Sequence, residues 1–83
     1  MTPLQSLKQI LQEHLEVCQE SDDYKEALLD SSYACDLSVV ALEQHIDCWL
    51  TVCPVDSNYR KGIGYVHDQW NIIKEKEDDT QSN

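Results

Sequence analysis

The chain has 83 residues, with sixteen acids against six bases and a net charge of −10. That length holds one domain. The acidic balance excludes direct nucleic-acid binding as a default, because phosphate contacts are made by Lys and Arg. Two Gly and two Pro are too few for an all-β fold, which needs a turn residue every few positions. The expected class is therefore all-α: a small bundle of an N-terminal helix, a long or kinked central helix and a short C-terminal helix.

The charge is uneven. Residues 1–56 carry eleven acids and two bases, and residues 57–83 carry five and four. No stretch approaches the roughly 18 apolar residues of a membrane span, and no apolar run with a basic flank reads as a secretory leader. The four cysteines are accordingly read as reduced thiols and the compartment as cytoplasmic. Cys18, Cys35 and Cys53 fall on apolar stripes, where a free thiol acts as a small hydrophobe.

The N-terminal helix announces itself three ways. Thr2 suits the N-cap, Pro3 suits the first helical position, and Gln5 completes a capping box. Leu4, Leu7, Leu11, His14 and Cys18 then recur at helical spacing, which predicts a helix over 3–19. Ser21 followed by Asp22 and Asp23 is a second start, with a hydroxyl cap and two acids favoured by the helix dipole. It predicts a helix over 22–35 with Tyr24, Ala27, Leu28 and Tyr33 as apolar contacts.

Residues 36–53 carry the widest apolar surface. Val39, Leu42, Ile46, Trp49, Leu50 and Cys53 continue one stripe from Cys35, and Leu37, Ala41, Cys48 and Val52 form another on nearly the opposite side. A surface helix needs an apolar arc of about 100°, and this arc is about twice as wide. Cover from two sides is expected, by the chain itself and by a second copy. The seam of a homo-oligomer would then run along Val39, Leu42, Ile46, Trp49, Leu50 and Cys53. The stripe passes through Asp36 without a slip of phase, while Asp30, Ser31, Ser32, Asp36 and Ser38 are poor interior residues and good caps. A break or kink near Asp36 is favoured over one unbroken helix.

Pro54 ends that helix. Residues 54–64, with Gly62 and Gly64 and the basic pair Arg60-Lys61, read as a loop. Val66, Trp70 and Ile73 predict a short helix over 65–76. Residues 77–83 offer nothing to bury and read as a disordered acidic and polar tail, leaving 1–76 as the folded domain.

Four constellations bear on function. His14 with Cys18 and His45 with Cys48 stand at chelating separations on their helices, a possible tetrahedral metal set. However, no Cys or His knuckle supports it, and satisfied core residues are the preferred reading, with no metal or other cofactor assigned. A Cys–His nucleophile pair has no pocket-building scaffold or phosphate loop around it, so no catalytic residue is assigned and the chain is read as not an enzyme. Tyr59, Arg60 and Lys61 with Trp70 resemble a contact patch, but a structural role is preferred.

The fourth constellation is acidic. Glu13, Glu16, Glu20, Asp22, Asp23, Glu26 and Asp30 follow one another along the first two helices. Carboxylates three or four apart on a helix lie about 5–6 Å from one another, close to the spacing of successive phosphates. Such a row can occupy the groove of a DNA-binding protein. The leading expectation is thus a non-enzymatic regulator that binds and inhibits a basic, nucleic-acid-binding protein, possible DNA mimicry included. The make-up is similar in size, charge and helicity to the small acidic antirepressors and anti-restriction proteins of phages, with no motif behind the likeness. A helical adaptor pairing through its apolar stripe is the second expectation, and a metal-dependent regulator the third.

Overall fold

The computed structural model describes the backbone of residues 2–81 and the side chains of residues 2–76. The described residues form four helices and no strand: α1 (Pro3–Val17), α2 (Asp22–Cys35), α3 (Val39–Val52) and α4 (Asn58–Gln81). α2 and α4 pack most extensively on each other, and α1 and α3 each pack against both of them. α4 continues in the described backbone through Gln81, past the end expected for it at residue 76, and residues 82–83 of the expected tail lie outside the described residues.

Local chemistry explains the starts. Thr2 Oγ1 accepts from the Gln5 amide and the Gln5 side chain accepts from the Thr2 amide, a complete capping box. Ser21 Oγ accepts from the Tyr24 amide to open α2, and Ser38 Oγ accepts from the Ala41 amide to open α3. Between them, Asp36 and Leu37 close α2 with tight bonds back to the Tyr33 and Ala34 carbonyls. The break favoured near Asp36 is present, so the long or kinked central helix is two separate helices. The break falls where the caps compete with the stripe, and Ser38, extended at φ −172° and ψ 167°, turns α3 back along α2.

Two further expectations are corrected. The first concerns the loop, read over 54–64, which is shorter. Ser57 Oγ accepts from the Arg60 amide and its carbonyl accepts from the Lys61 amide, so helix α4 begins at Asn58 rather than Tyr65. Gly62 and Gly64 sit inside it. The second concerns the centre of the molecule, which is α2, not α3. Ala27, Leu28, Ser31, Ser32, Ala34 and Cys35 of α2 are buried, against Leu42 and Ile46 alone on α3.

The reason is the size of the α2 side chains. Ala and Ser let neighbouring helices approach closely, and Gly62 of α4 uses that room. A methyl group at Gly62 would fall 2.7 Å from the Tyr24 carbonyl oxygen and 2.8 Å from the Ala27 Cβ. Around this contact Leu7, Leu11, Leu28, Leu42, Ile63 and Val66 are fully buried, each contributing about 1.5–3 kcal/mol. The accessible surface of 5403 Å² is close to the ~5,100 Å² expected of a folded monomer of this mass. Leu42 and Ile46, expected at a seam between copies, are covered here by the chain's own helices.

Candidate functional site

The proposed seam divides when the fold is assembled. Leu42 and Ile46 are inside the chain's own core, and Trp49, Leu50 and Cys53 are half-buried. Val39 is 41 % exposed. The other strip faces outward: Leu37 is 76 % exposed and Val52 62 %, with Val40 and Cys48 beside them.

The acids also divide. Glu13, Glu16 and Glu20 stand exposed on and just beyond α1, and Asp22, Asp23 and Glu26 on the first turns of α2. None of the six has an ion-pair partner among the described residues. Glu13 accepts only a long bond from Gln9, 3.4 Å. Lys25 is the one base among them. Asp30 belongs elsewhere. It is half-buried and accepts a 2.6 Å bond from the Tyr59 hydroxyl, which holds the Tyr59 phenol well above its ordinary range through burial and that bond. Asp36 is taken by Lys8 at 2.6 Å, which ties α1 to the α2–α3 turn.

Asp30 opens onto a groove between α2 and α3, lined by Tyr33, Leu37, Ala41, His45 and Trp49. His45 anchors one wall, with Nε2 3.1 Å from Ser31 Oγ. The buried Ser31 hydroxyl has a single proton and gives it to the Ala27 carbonyl at 2.8 Å. It therefore meets His45 with a lone pair, and Nε2 must carry the imidazole proton. Burial lowers the His45 pKa, with Asp30 opposing, so the ring is neutral at neutral pH. Trp49 packs against Tyr59 with ring centroids 4.9 Å apart. Sequence reasoning counted Tyr33 and Trp49 as core and overlooked the groove. The signal was present in the row Glu26, Asp30, Tyr33, Leu37, which keeps helical spacing along one side of α2.

The two His–Cys pairs are not assembled. His14 stacks on Tyr65 at 4.2 Å and its Nε2 lies 3.0 Å from the Tyr24 hydroxyl, while His45 faces Ser31 across the bundle's other flank. Among the described residues, no group of three or more His, Cys, Asp or Glu side chains is placed to hold a metal ion. Burial and the neighbouring Asp36 push the Cys35 thiol up to about 11, so it is protonated and behaves as a core hydrophobe.

The expected contact patch is also committed to structure. Trp70 is in the core and donates from Nε1 to Glu43 Oε2 at 3.1 Å, alongside Lys74 at the same distance. Arg60 Nε donates to the Leu50 carbonyl near the end of α3, where a cation suits the helix dipole. Among the described residues no helix is long and apolar enough to cross a membrane. Comparison with known proteins finds no matching family model, no similar curated protein and no similar solved structure.

Proposed function

We propose that the chain is a non-enzymatic acidic regulator that binds and inhibits a protein partner, one whose own ligand is nucleic acid. The observation that carries this reading is the corner formed by Glu13, Glu16, Glu20, Asp22, Asp23 and Glu26. It is exposed on two successive helices and the turn between them, and has no ion-pair partner among the described residues. A face that serves only solubility mixes both signs and forms local pairs; this one leaves its carboxylates available to Lys and Arg of a partner. Six such charges compete for a phosphate-binding groove through the electrostatics the nucleic acid itself uses.

The test is a pull-down from the native host at about 50 mM and about 500 mM salt, a range over which exposed charge interactions are screened. The partner should be captured at low salt, released at high salt, and lost when Glu13, Glu16 and Glu20 are all changed to Lys. Capture unaffected by the triple reversal would remove the acidic corner from the mechanism.

A second reading has its own observation. The exposed strip of Leu37, Val40 and Val52 supports a helical adaptor, whose capture would persist at high salt. Self-association along α3 would use this strip together with the exposed part of Val39, since Leu42 and Ile46 are occupied within the chain.

A further inference from the structure

The groove between α2 and α3 is graded along its length, and the grading defines what fits it. At one end of this groove of about 370 Å³, Leu37, Ala41 and Tyr33 form an apolar cradle. At the other stands Asp30, with Glu26 one turn further along α2 and close enough to act on the Tyr59 phenol. No Lys or Arg lines the groove. We infer that it is a docking site for an amphipathic basic helix of a partner protein. Such a helix would set an apolar side chain against Leu37 and Ala41, and a Lys or Arg on the same face against Asp30.

The spacing follows from the helix. Asp30 and Leu37 are seven residues apart, about 10 Å at 1.5 Å per residue. An apolar residue at i and a base at i+7 on a docked helix span the same distance on one face. The carboxylate is prepared for this role. Tyr59 fills one lone pair of Oδ2 and holds the group in place, and a carboxylate has further lone pairs for an incoming ammonium or guanidinium. Charge selects the occupant. A second copy of this chain carries −10, whereas a basic helix meets a groove whose only charged lining residue is an acid. The inference rests on the reading of the chain as a binder of a basic protein, and adds which element of that protein is held and where.

The experiment is an NMR titration of the isotopically labelled full chain with three helical peptides of equal length. The first carries Leu at i and Lys at i+7 on one face, the second has Glu in place of that Lys, and the third has the first peptide's residues scrambled. The first should saturate, with shifts at Tyr33, Leu37, Ala41 and the Trp49 indole. The other two should bind at least about tenfold more weakly, the scale expected of one well-placed charged contact. Ala41→Lys, which fills the groove with a like charge, and Leu37→Ser, at an exposed site, should each weaken the first peptide at least about tenfold.

Shifts confined to the Glu13–Glu20 corner, binding indifferent to both variants, or no saturable binding would each overturn the groove. Concentration-dependent dimerisation abolished by Ala41→Lys would overturn it too, in favour of a second copy. The triple Lys variant of Glu13, Glu16 and Glu20 separates the two proposals. Failure of the acidic corner leaves peptide binding in the groove intact, and failure of the groove leaves the salt-dependent pull-down intact.

Discussion

Gly62 lies so close to Ala27 that any side chain on the glycine would collide with the alanine Cβ at 2.8 Å. The two residues mark the point where α4 meets α2, and the neighbouring obstacle, the Tyr24 carbonyl at 2.7 Å, is backbone and has little room to yield. Gly62→Ala should therefore destabilise the fold by about 1–3 kcal/mol, the usual cost of overpacking. Gly64, two residues on, has open space around it. There the same substitution should stabilise the chain by about 0.5–1 kcal/mol, because alanine gives up less backbone freedom in a helix. Urea unfolding of the two variants should give opposite signs; equal signs would contradict the close approach.

Ile46 is 3 % exposed and Val40, on the same helix, 63 %. Ile46→Asp should cost at least about 3 kcal/mol by removing a core side chain and burying an unpaired charge, enough to unfold much of the population. Val40→Asp should change stability by no more than about 0.5 kcal/mol. Circular dichroism melts distinguish the two, and a folded Ile46→Asp variant would show that this side of α3 is not the interior.

His45 gives the fold a defined acid sensitivity. Its pKa is lowered in the folded state from the ordinary 6.5, burial being the cause. Above that value the ring is neutral both folded and unfolded and contributes no pH dependence. As pH falls below it, the unfolded chain takes up the proton first, so stability declines until the folded-state pKa is passed. Melting temperatures compared at about pH 7.5 and about pH 5.5 should fall more for the natural chain than for His45→Gln, which has no proton to take up there. Equal falls would remove His45 as the cause.

Glu43 joins α3 to α4 by accepting from both Trp70 and Lys74. Those bonds, the indole's foremost, hold its carboxyl below the usual range. Glu43→Ala should cost about 1 kcal/mol, chiefly by stranding the indole N–H, and Glu43→Gln less, since an amide oxygen still accepts. Chemical unfolding measures both. The Ala variant should also shift the Trp70 indole proton resonance, and an unmoved resonance would mean the bond is absent in solution.

Much of this architecture could be read in advance, for a physical reason. Caps are local, so Thr2, Ser21 and the break near Asp36 were visible from a few neighbouring residues. Tertiary effects were not. The glycines of α4 looked like loop formers because intrinsic preference disfavours them in helices, yet Gly62 is demanded by Ala27, which is 35 residues away in the chain. α3 looked central because its side chains are large and apolar, but buried alanines and serines made α2 the hub. The exposure of Glu13, Glu16, Glu20, Asp22, Asp23 and Glu26 follows from their place on the polar sides of the helices and the turn between them. Asp30 departed from that row because of Tyr59, a partner from another helix that no local pattern announces.

One hydroxyl on α2 ends up dictating the manners of a cleft it does not touch. By spending its hydrogen inward, Ser31 obliges the imidazole opposite to keep its own hydrogen on the same inner side, so the outer nitrogen can only receive. With the neighbouring Asp30 carboxylate equally unable to give, the inferred docking site would favour ammonium and guanidinium tips over carboxylates and phosphates.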